Sequence, residues 1–137
     1  MNRVDLQKLS NMRIREAKIL FVAGEYSGAY YLTGYAVECA LKACIAKGVQ
    51  RYDFPDKSLA QKSYVHVLGD LVKLADPNSE LAAAMRANPK LEASWDLTKS
   101  WTEQSRFSIH TKNEAEAIID AVARRKDGVL AWNKQRW

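Results

Sequence analysis

Apolar residues recur at helical spacing along most of the chain, and the longest such stretch runs from Gly24 to Ile45. Its hydrophobic positions form two adjacent rows, so the apolar surface is broader than that of an ordinary surface helix. Its interior carries only two charged residues, Glu38 and Lys42, four apart in the order that favours an ion pair on one helix face. The pattern predicts a long central helix that packs against neighbours on several sides.

Further stretches with helical periodicity lie on both sides of this central helix. They are 4–23, 64–75, 79–101 with a break at 88–89, and a last helix that begins at 111 and continues almost to the C-terminus. Thr111 and Glu114 form the capping-box pattern that marks the start of a helix. Asp127-Gly128 is a weak point at which the last helix is expected to bend.

Between Gly48 and Lys62 the helical periodicity lapses, which predicts a loop, with a loop that includes a turn of helix as the alternative. This segment contains Tyr52 and Phe54, which we interpret as aromatic anchors that hold the loop against the helices. A platform on which nucleic-acid bases stack is the alternative interpretation. Together the elements predict an all-α, up-and-down bundle of four to five helices that forms a single domain over residues 1–137.

The composition supports this fold class. A chain of 137 residues is the size of one domain, and its 6 Gly and 3 Pro favour helices over a turn-rich β fold. A hydrophobic fraction of 47% with 27% charged residues excludes a disordered chain. The formal net charge of +5 suits a polyanionic partner, and a charge of this size is also a common solubility feature.

Several kinds of location and site are disfavoured by the sequence. The N-terminus lacks the pattern of a secretory signal, and charges at Glu38 and Lys42 would be costly in lipid, so we expect a cytoplasmic protein without membrane partners. Cys39 and Cys44 match neither a redox pair nor a zinc-ligand spacing and are predicted to be buried thiols. The sequence contains no glycine-rich phosphate loop or metal-ligand cluster, and we predict no metal and no cofactor.

Four short stretches carry a resemblance to a known family. They are 21–29 at the junction of the first two helices, Gly34-Tyr35-Ala36-Val37-Glu38-Cys39-Ala40-Leu41-Lys42-Ala43, 64–71, and Trp101 followed by 105–108. In these stretches and in their order the chain resembles HEPN-domain proteins (higher eukaryotes and prokaryotes nucleotide-binding). The stretch from Gly34 to Ala43 is the most specific of the four.

The resemblance implies a small helical bundle that forms a homodimer. Many members of the family are metal-independent ribonucleases of toxin–antitoxin or antiviral systems, and such a toxin is paired with an antitoxin. Other members are non-catalytic modules that bind a nucleotide or act as the helical partner of a nucleotidyltransferase-type protein. The family's catalytic motif is an Arg followed after about four to six residues by a His. Arg106 and His110 are the candidates here, with three residues between them, and this shorter spacing favours the non-catalytic alternative.

RNA cleavage without a metal needs a base for the 2′-hydroxyl proton and a cation that holds the phosphate as negative charge develops. Histidine titrates near neutral pH and the guanidinium fork of arginine matches phosphate oxygens, so His110 and Arg106 suit these two roles. In the structural alternative Arg106 pairs with Glu38 or caps helix carbonyls while Phe107 packs inward. His110 is then an exposed turn residue before Thr111. His66 is predicted to be a partly buried residue at the start of a helix, with a second catalytic His as the alternative.

Two further groups of charged residues need an explanation. Glu38 lies on the most apolar helix, where a carboxylate is costly unless it is paired, so we predict a structural ion pair with Lys42, Arg106 or a cation of a partner chain. The last helix also carries a candidate RNA-binding surface, with a solvated helix face as the alternative. It consists of the basic cluster Arg124, Arg125 and Lys126 and the tail Lys134-Gln135-Arg136.

Overall fold

The computed structural model describes residues 1–49 and 57–137, and within these ranges it contains helices and no strand. The prediction of an all-α fold is therefore confirmed. The eight α-helices of the described residues are α1 Arg3–Val22, α2 Tyr26–Lys47, α3 Lys57–Ser63, α4 Leu68–Ala75, α5 Glu80–Ala87, α6 Pro89–Thr98, α7 Lys112–Ala123 and α8 Val129–Lys134. A short 3₁₀ helix, Glu103–Phe107, lies between α6 and α7.

Helices α1 and α2 form an antiparallel hairpin, as the short predicted break between them implies. Gly24 adopts a φ of 84°, a left-handed conformation that glycine accepts without steric cost, and it reverses the chain there. The hydroxyl of Ser10, buried on α1, donates a hydrogen bond of 2.7 Å to the carbonyl oxygen of Ala36 on α2. This bond joins the two helices well away from the turn.

Helix α2 is the central element of the fold, because twelve of its 22 residues are buried and it contacts α1, α4, α7, α8 and the 3₁₀ helix. At Gly34 the indole of Trp101 lies directly on the backbone, and a Cβ at this position would overlap the ring. Trp101 is itself only 1% exposed. The glycine therefore lets the chain before the 3₁₀ helix pack against α2.

The eight helices of the described residues exceed the predicted four to five, and the difference has three local causes. The predicted break at 88–89 separates α5 from α6. Residues 57–63, predicted to be part of a loop, form α3, while Tyr52 and Phe54 lie outside the described residues. The predicted last helix divides into α7 and α8 because the chain turns over 124–128. At Gly128 a Cβ would meet the backbone of Arg124 and Val122, so this turn requires a residue without a side chain.

One hydrophobic cluster joins the described helices. It contains buried residues from α1, α2 and every helix from α4 to α8, together with Trp101, and Leu59 of α3 packs against its edge. Cys39 and Cys44 are both buried on α2 with free thiols, as predicted. Across the described residues, the helices are too short or too polar for any of them to span a lipid bilayer.

Candidate active site

His110 lies in the connection between the 3₁₀ helix and α7, where a second element fixes its backbone. The backbone N–H of His110 donates a hydrogen bond of 2.8 Å to the Oγ of Ser27, in the first turn of α2. The next residue, Thr111, caps α7 by accepting a hydrogen bond from the backbone N–H of Glu114. His110 is therefore held between the start of α2 and the start of α7.

The imidazole of His110 is largely covered by an aromatic ring. It stacks on Tyr30 of α2, with ring centroids 3.7 Å apart and an interplanar angle of 12°. The side chain is only 14% exposed, so His110 is not the exposed turn residue of the structural alternative. Burial and the nearby Glu114 carboxylate raise the pKa of Tyr30 above its usual value, so its hydroxyl stays protonated at neutral pH.

A carboxylate orients the same imidazole. The Nδ1 of His110 lies 2.7 Å from the Oε2 of Glu114, one helical turn further along the chain. An ionised carboxylate only accepts hydrogen bonds, so Nδ1 carries the donated proton, and in the neutral imidazole the lone pair is then on Nε2. Nε2 is buried and makes no hydrogen bond within the described part of the chain. A carboxylate that fixes the tautomer of an imidazole in this way prepares the other nitrogen to act as a base.

A cleft lies beside Tyr30 and Glu114, the two side chains that contact the imidazole of His110. Its volume is about 360 Å³, in the lower part of the range for small-molecule sites. The described residues that line it are Tyr30, Leu97, Ser100, Asn113, Glu114 and Ala117. Its wall therefore combines apolar side chains with a hydroxyl, an amide and a carboxylate.

Arg106 occupies the end of the 3₁₀ helix and is exposed. Its guanidinium carbon lies 4.8 Å from the ring centroid of the neighbouring Phe107, and no acid among the described residues forms an ion pair with it. The backbone is extended at Ser108, so Arg106 and His110 do not share the face of one helix. The guanidinium remains able to bind an anion from solution.

Glu38 is 2% exposed and lies in a network of charged side chains. Its Oε1 accepts hydrogen bonds from the Nζ of Lys42 at 2.9 Å and from the Nδ1 of His66 at 2.8 Å. The Nε2 of His66 lies 3.3 Å from the Oε2 of Glu103, so one imidazolium can donate to both carboxylates. The predicted Glu38–Lys42 pair is thus present, and Arg106 is not one of the partners of Glu38 within the described ranges.

His66 connects separate elements of the fold through its contacts with Glu38 and Glu103. Its side chain is 42% exposed and bridges α2 and the 3₁₀ helix from the segment that precedes α4. This geometry matches the prediction of a partly buried residue just before a helix. It also ties the 3₁₀ helix, which carries Arg106, to the centre of the fold.

The predicted basic residues lie at the opposite end of α7 from His110. Arg124, Arg125 and Lys126 are all exposed in the turn between α7 and α8, and Arg124 pairs with Asp120. The 12 residues of α7 span about 18 Å at 1.5 Å per residue, so the structure does not bring the basic cluster into contact with His110.

Three residues that contact His110 were not identified as part of the candidate site from the sequence. Glu114 lies four residues from His110, a spacing that predicts contact once the segment is known to start a helix. Ser27 and Tyr30 are about eighty positions away, and nothing in a single sequence connects them to His110.

Within the ranges that the structure describes, no three His, Cys, Asp or Glu side chains are placed to share a metal ion. No protein-family model, curated protein or solved structure matches this chain.

Proposed function

We propose that this chain is a HEPN-like, RNA-acting protein that cleaves RNA without a metal, in a prokaryotic toxin–antitoxin or defence system. The observation that carries the proposal is the contact between His110 and Glu114, because a carboxylate on Nδ1 leaves Nε2 as the basic nitrogen. The resemblance of residues 34–43 and 105–108 to the HEPN family supplies the substrate class. The net charge of +5 supports a polyanionic substrate.

In this mechanism His110 acts as general base and Arg106 binds the phosphate. The Nε2 of His110 takes the proton of a ribose 2′-hydroxyl, and the 2′-oxygen bonds to the adjacent phosphorus. The bond from phosphorus to the 5′-oxygen then breaks, and that oxygen receives a proton from an imidazolium or from water. Negative charge develops on the phosphate oxygens between these events, and the guanidinium of Arg106 stabilises it by charge-assisted hydrogen bonds.

A homodimer is part of the proposal. Two large apolar side chains next to the site face solvent in the single chain, since Phe107 is 75% exposed and Ile109 is 96% exposed. Contiguous exposed apolar area is typical of surfaces that another protein covers, and these two side chains are separated by one residue in the chain. A second copy that packs over this segment would bury them and bring two copies of Arg106 and His110 into one cleft.

The test is an RNA digest in the presence of a chelator, with wild type compared with His110→Ala and Arg106→Ala. We expect the wild type to cleave and His110→Ala to lose about a hundredfold or more in rate, the usual contribution of a general base. Lys99→Ala is the control for Arg106→Ala, because Lys99 is an exposed cation on another helix end. Cleavage by His110→Ala at the wild-type rate, or no cleavage by either protein, would overturn the proposal.

A non-catalytic HEPN module is the second candidate, and the buried position of His110 Nε2 favours it. In the single chain this nitrogen is covered, so catalysis requires the side chains around it to move when RNA or a second copy binds. A module of this class would bind a nucleotide or a nucleotidyltransferase-type protein and leave RNA intact. Binding of RNA or nucleotide by the wild type without any cleavage would identify this alternative.

A further inference from the structure

A groove between α1 and the α7–α8 segment brings together four basic side chains from distant parts of the sequence. Its volume is about 320 Å³. The described residues that line it are Ile14, Lys18, Ala123, Arg124, Arg125, Leu130, Ala131 and Lys134, and we call it the basic groove. None of these lining residues is acidic. Lys126 follows Arg125 in the chain and is not part of the lining.

The charges in the basic groove are largely uncompensated within the described chain. Arg124 forms an ion pair with Asp120, whereas Lys18, Arg125 and Lys134 have no acidic partner there. All four side chains are exposed. Cations concentrated in one concave site repel each other and raise the local positive potential, so an anion that enters relieves this repulsion.

A tight turn holds the backbone of two of these basic residues, Arg124 and Arg125, at the edge of the groove. The N–H of Gly128 donates to the carbonyl oxygen of Arg124 at 3.1 Å, and a Cβ on Gly128 would clash with the same carbonyl. The turn that carries Arg124 and Arg125 is thus closed tightly against the end of α7. Lys18 reaches the groove from α1. A neighbouring depression on that helix is lined by Arg15, Lys18, Ile19 and Val22, so it adds one cation and two apolar side chains.

The lining also indicates which class of ligand fits. The apolar floor is already buried, with Ile14 8% and Leu130 4% exposed, so it offers little hydrophobic area to another protein. Lysine is depleted in protein–protein interfaces, whereas Lys and Arg neutralise the phosphates in nucleic-acid complexes. A ligand that presents several phosphates in a row matches this arrangement.

We propose that the basic groove binds the phosphodiester backbone of single-stranded RNA. The choice of RNA rests on the proposed function, while the binding of a phosphate backbone does not require His110. Helix α7 begins beside His110 and ends at Arg124, about 18 Å further along its axis. The exposed side chains of α7 between these two ends include Glu116 and Asp120, so the phosphates held in the groove lie apart from the candidate active site.

The experiment measures binding of a labelled oligouridylate to the His110→Ala chain at several salt concentrations, so that cleavage does not interfere. The groove variant carries three substitutions in addition to His110→Ala, which are Lys18→Gln, Arg125→Gln and Lys134→Gln. The control variant adds Lys8→Gln, Arg86→Gln and Lys90→Gln, which are exposed cations outside the groove. The two variants have the same net charge, so a difference between them reports the position of the charges. Thermal melts confirm that both are folded.

We expect the groove variant to bind RNA at least about tenfold more weakly than the His110→Ala chain. The slope of log affinity against log salt should become shallower by about 2, since each phosphate contact on a single strand contributes roughly 0.7. The control variant should bind within about twofold of the parent, because it lacks no groove contact. Equal weakening of both variants would mean that only net charge matters, and unchanged binding by the groove variant would exclude the groove; either result overturns the proposal.

Two further results distinguish RNA binding by the groove from binding of an acidic protein and from the proposed nuclease activity. If polyglutamate displaced RNA more effectively than unlabelled RNA does at equal charge concentration, the groove would be assigned to an acidic protein and the proposal would be wrong. Loss of binding by the groove variant, combined with no cleavage by wild type, would support the groove and refute the nuclease. Cleavage that depends on His110 and is unaffected by the groove substitutions would support the nuclease and refute the groove.

Discussion

The imidazole of His110 lies flat on the ring of Tyr30, with ring centroids 3.7 Å apart and planes inclined by 12°. This stacking joins the first turns of α2 to the segment that leads into α7. Together with the hydrogen bonds to Ser27 and Glu114, it fixes the position of the backbone, the plane of the ring and the nitrogen that carries the proton. His110 therefore has a defined orientation in the single chain, before any ligand binds.

The tautomer of His110 can be tested without an activity assay. We expect the wild type to carry the imidazole proton on Nδ1, because Glu114 accepts a hydrogen bond there, and Glu114→Ala to lose this preference. Nitrogen–proton correlation NMR of the histidine side chains measures the tautomer. Glu116→Ala is the control, since Glu116 is an exposed acid on the same helix. An unchanged Nδ1 tautomer in Glu114→Ala would show that Glu114 does not set it.

The contact between Gly34 and Trp101 predicts that adding a single methyl group at Gly34 lowers the free energy of unfolding. Gly34→Ala places a Cβ inside the indole ring, so the ring or the helix must shift, and we expect a loss of about 1–3 kcal/mol in the free energy of unfolding. Gly69→Ala on α4 is the matched control, because no atom lies within 4 Å of its added Cβ. Its expected effect is a gain of up to about 1 kcal/mol. Urea unfolding measures both; equal stability of the two variants would contradict the packing described here.

The Glu38 network predicts that a buried ion pair contributes more to the free energy of unfolding than an exposed one. Lys42 and Glu38 are joined at 2.9 Å with side chains 21% and 3% exposed, whereas Lys99 and Asp96 are joined at the same 2.9 Å with side chains 53% and 54% exposed. Lys42→Ala leaves a buried carboxylate with His66 as its remaining partner, so we expect a loss of about 2 kcal/mol in unfolding free energy. Lys99→Ala should change it by less than about 0.5 kcal/mol. Equal effects in urea unfolding would show that the buried carboxylate does not depend on Lys42.

The buried thiols predict a loss of stability at high pH. Burial raises the pKa of Cys39 and of Cys44 to about 11, with the Glu38 carboxylate adding to the effect at Cys39. The unfolded chain releases these protons first, at pH values around 9, so the thiol contribution is complete below that pH and is lost as pH rises towards 11. Other groups titrate in the same range, and a variant without the thiols isolates their contribution.

The appropriate comparison is wild type with the double variant Cys39→Ala, Cys44→Ala. Between pH 9 and pH 11 we expect the unfolding free energy of wild type to fall more steeply than that of the variant, whatever their difference at pH 8. Denaturant unfolding at each pH gives the two slopes. Parallel slopes would mean that the thiols titrate alike in the folded and unfolded chains.

Features that depend on neighbours in the chain could be predicted from the sequence. The central helix follows from the periodicity of residues 26–47, and the Glu38–Lys42 pair follows from its four-residue spacing. The start of α7 follows from the capping pattern of Thr111 and Glu114. In each case a few successive residues contain both partners of the interaction, so the helix geometry alone brings them together.

Contacts between distant residues could not be predicted, and the candidate site consists mostly of these. The stacking of Tyr30 on His110 and the bond from His66 to Glu38 join separate elements, and so does the basic groove. The sequence predicts a bend at Asp127-Gly128, but the complete division of the last helix into α7 and α8 required the structure, because it depends on how closely the backbone approaches Gly128. The sequence by itself determined most of the helical segments and which of their faces are apolar, but not the extent of α3 or the complete break between α7 and α8. The tertiary structure decided which polar side chains meet, because that depends on the angles and offsets at which the helices pack.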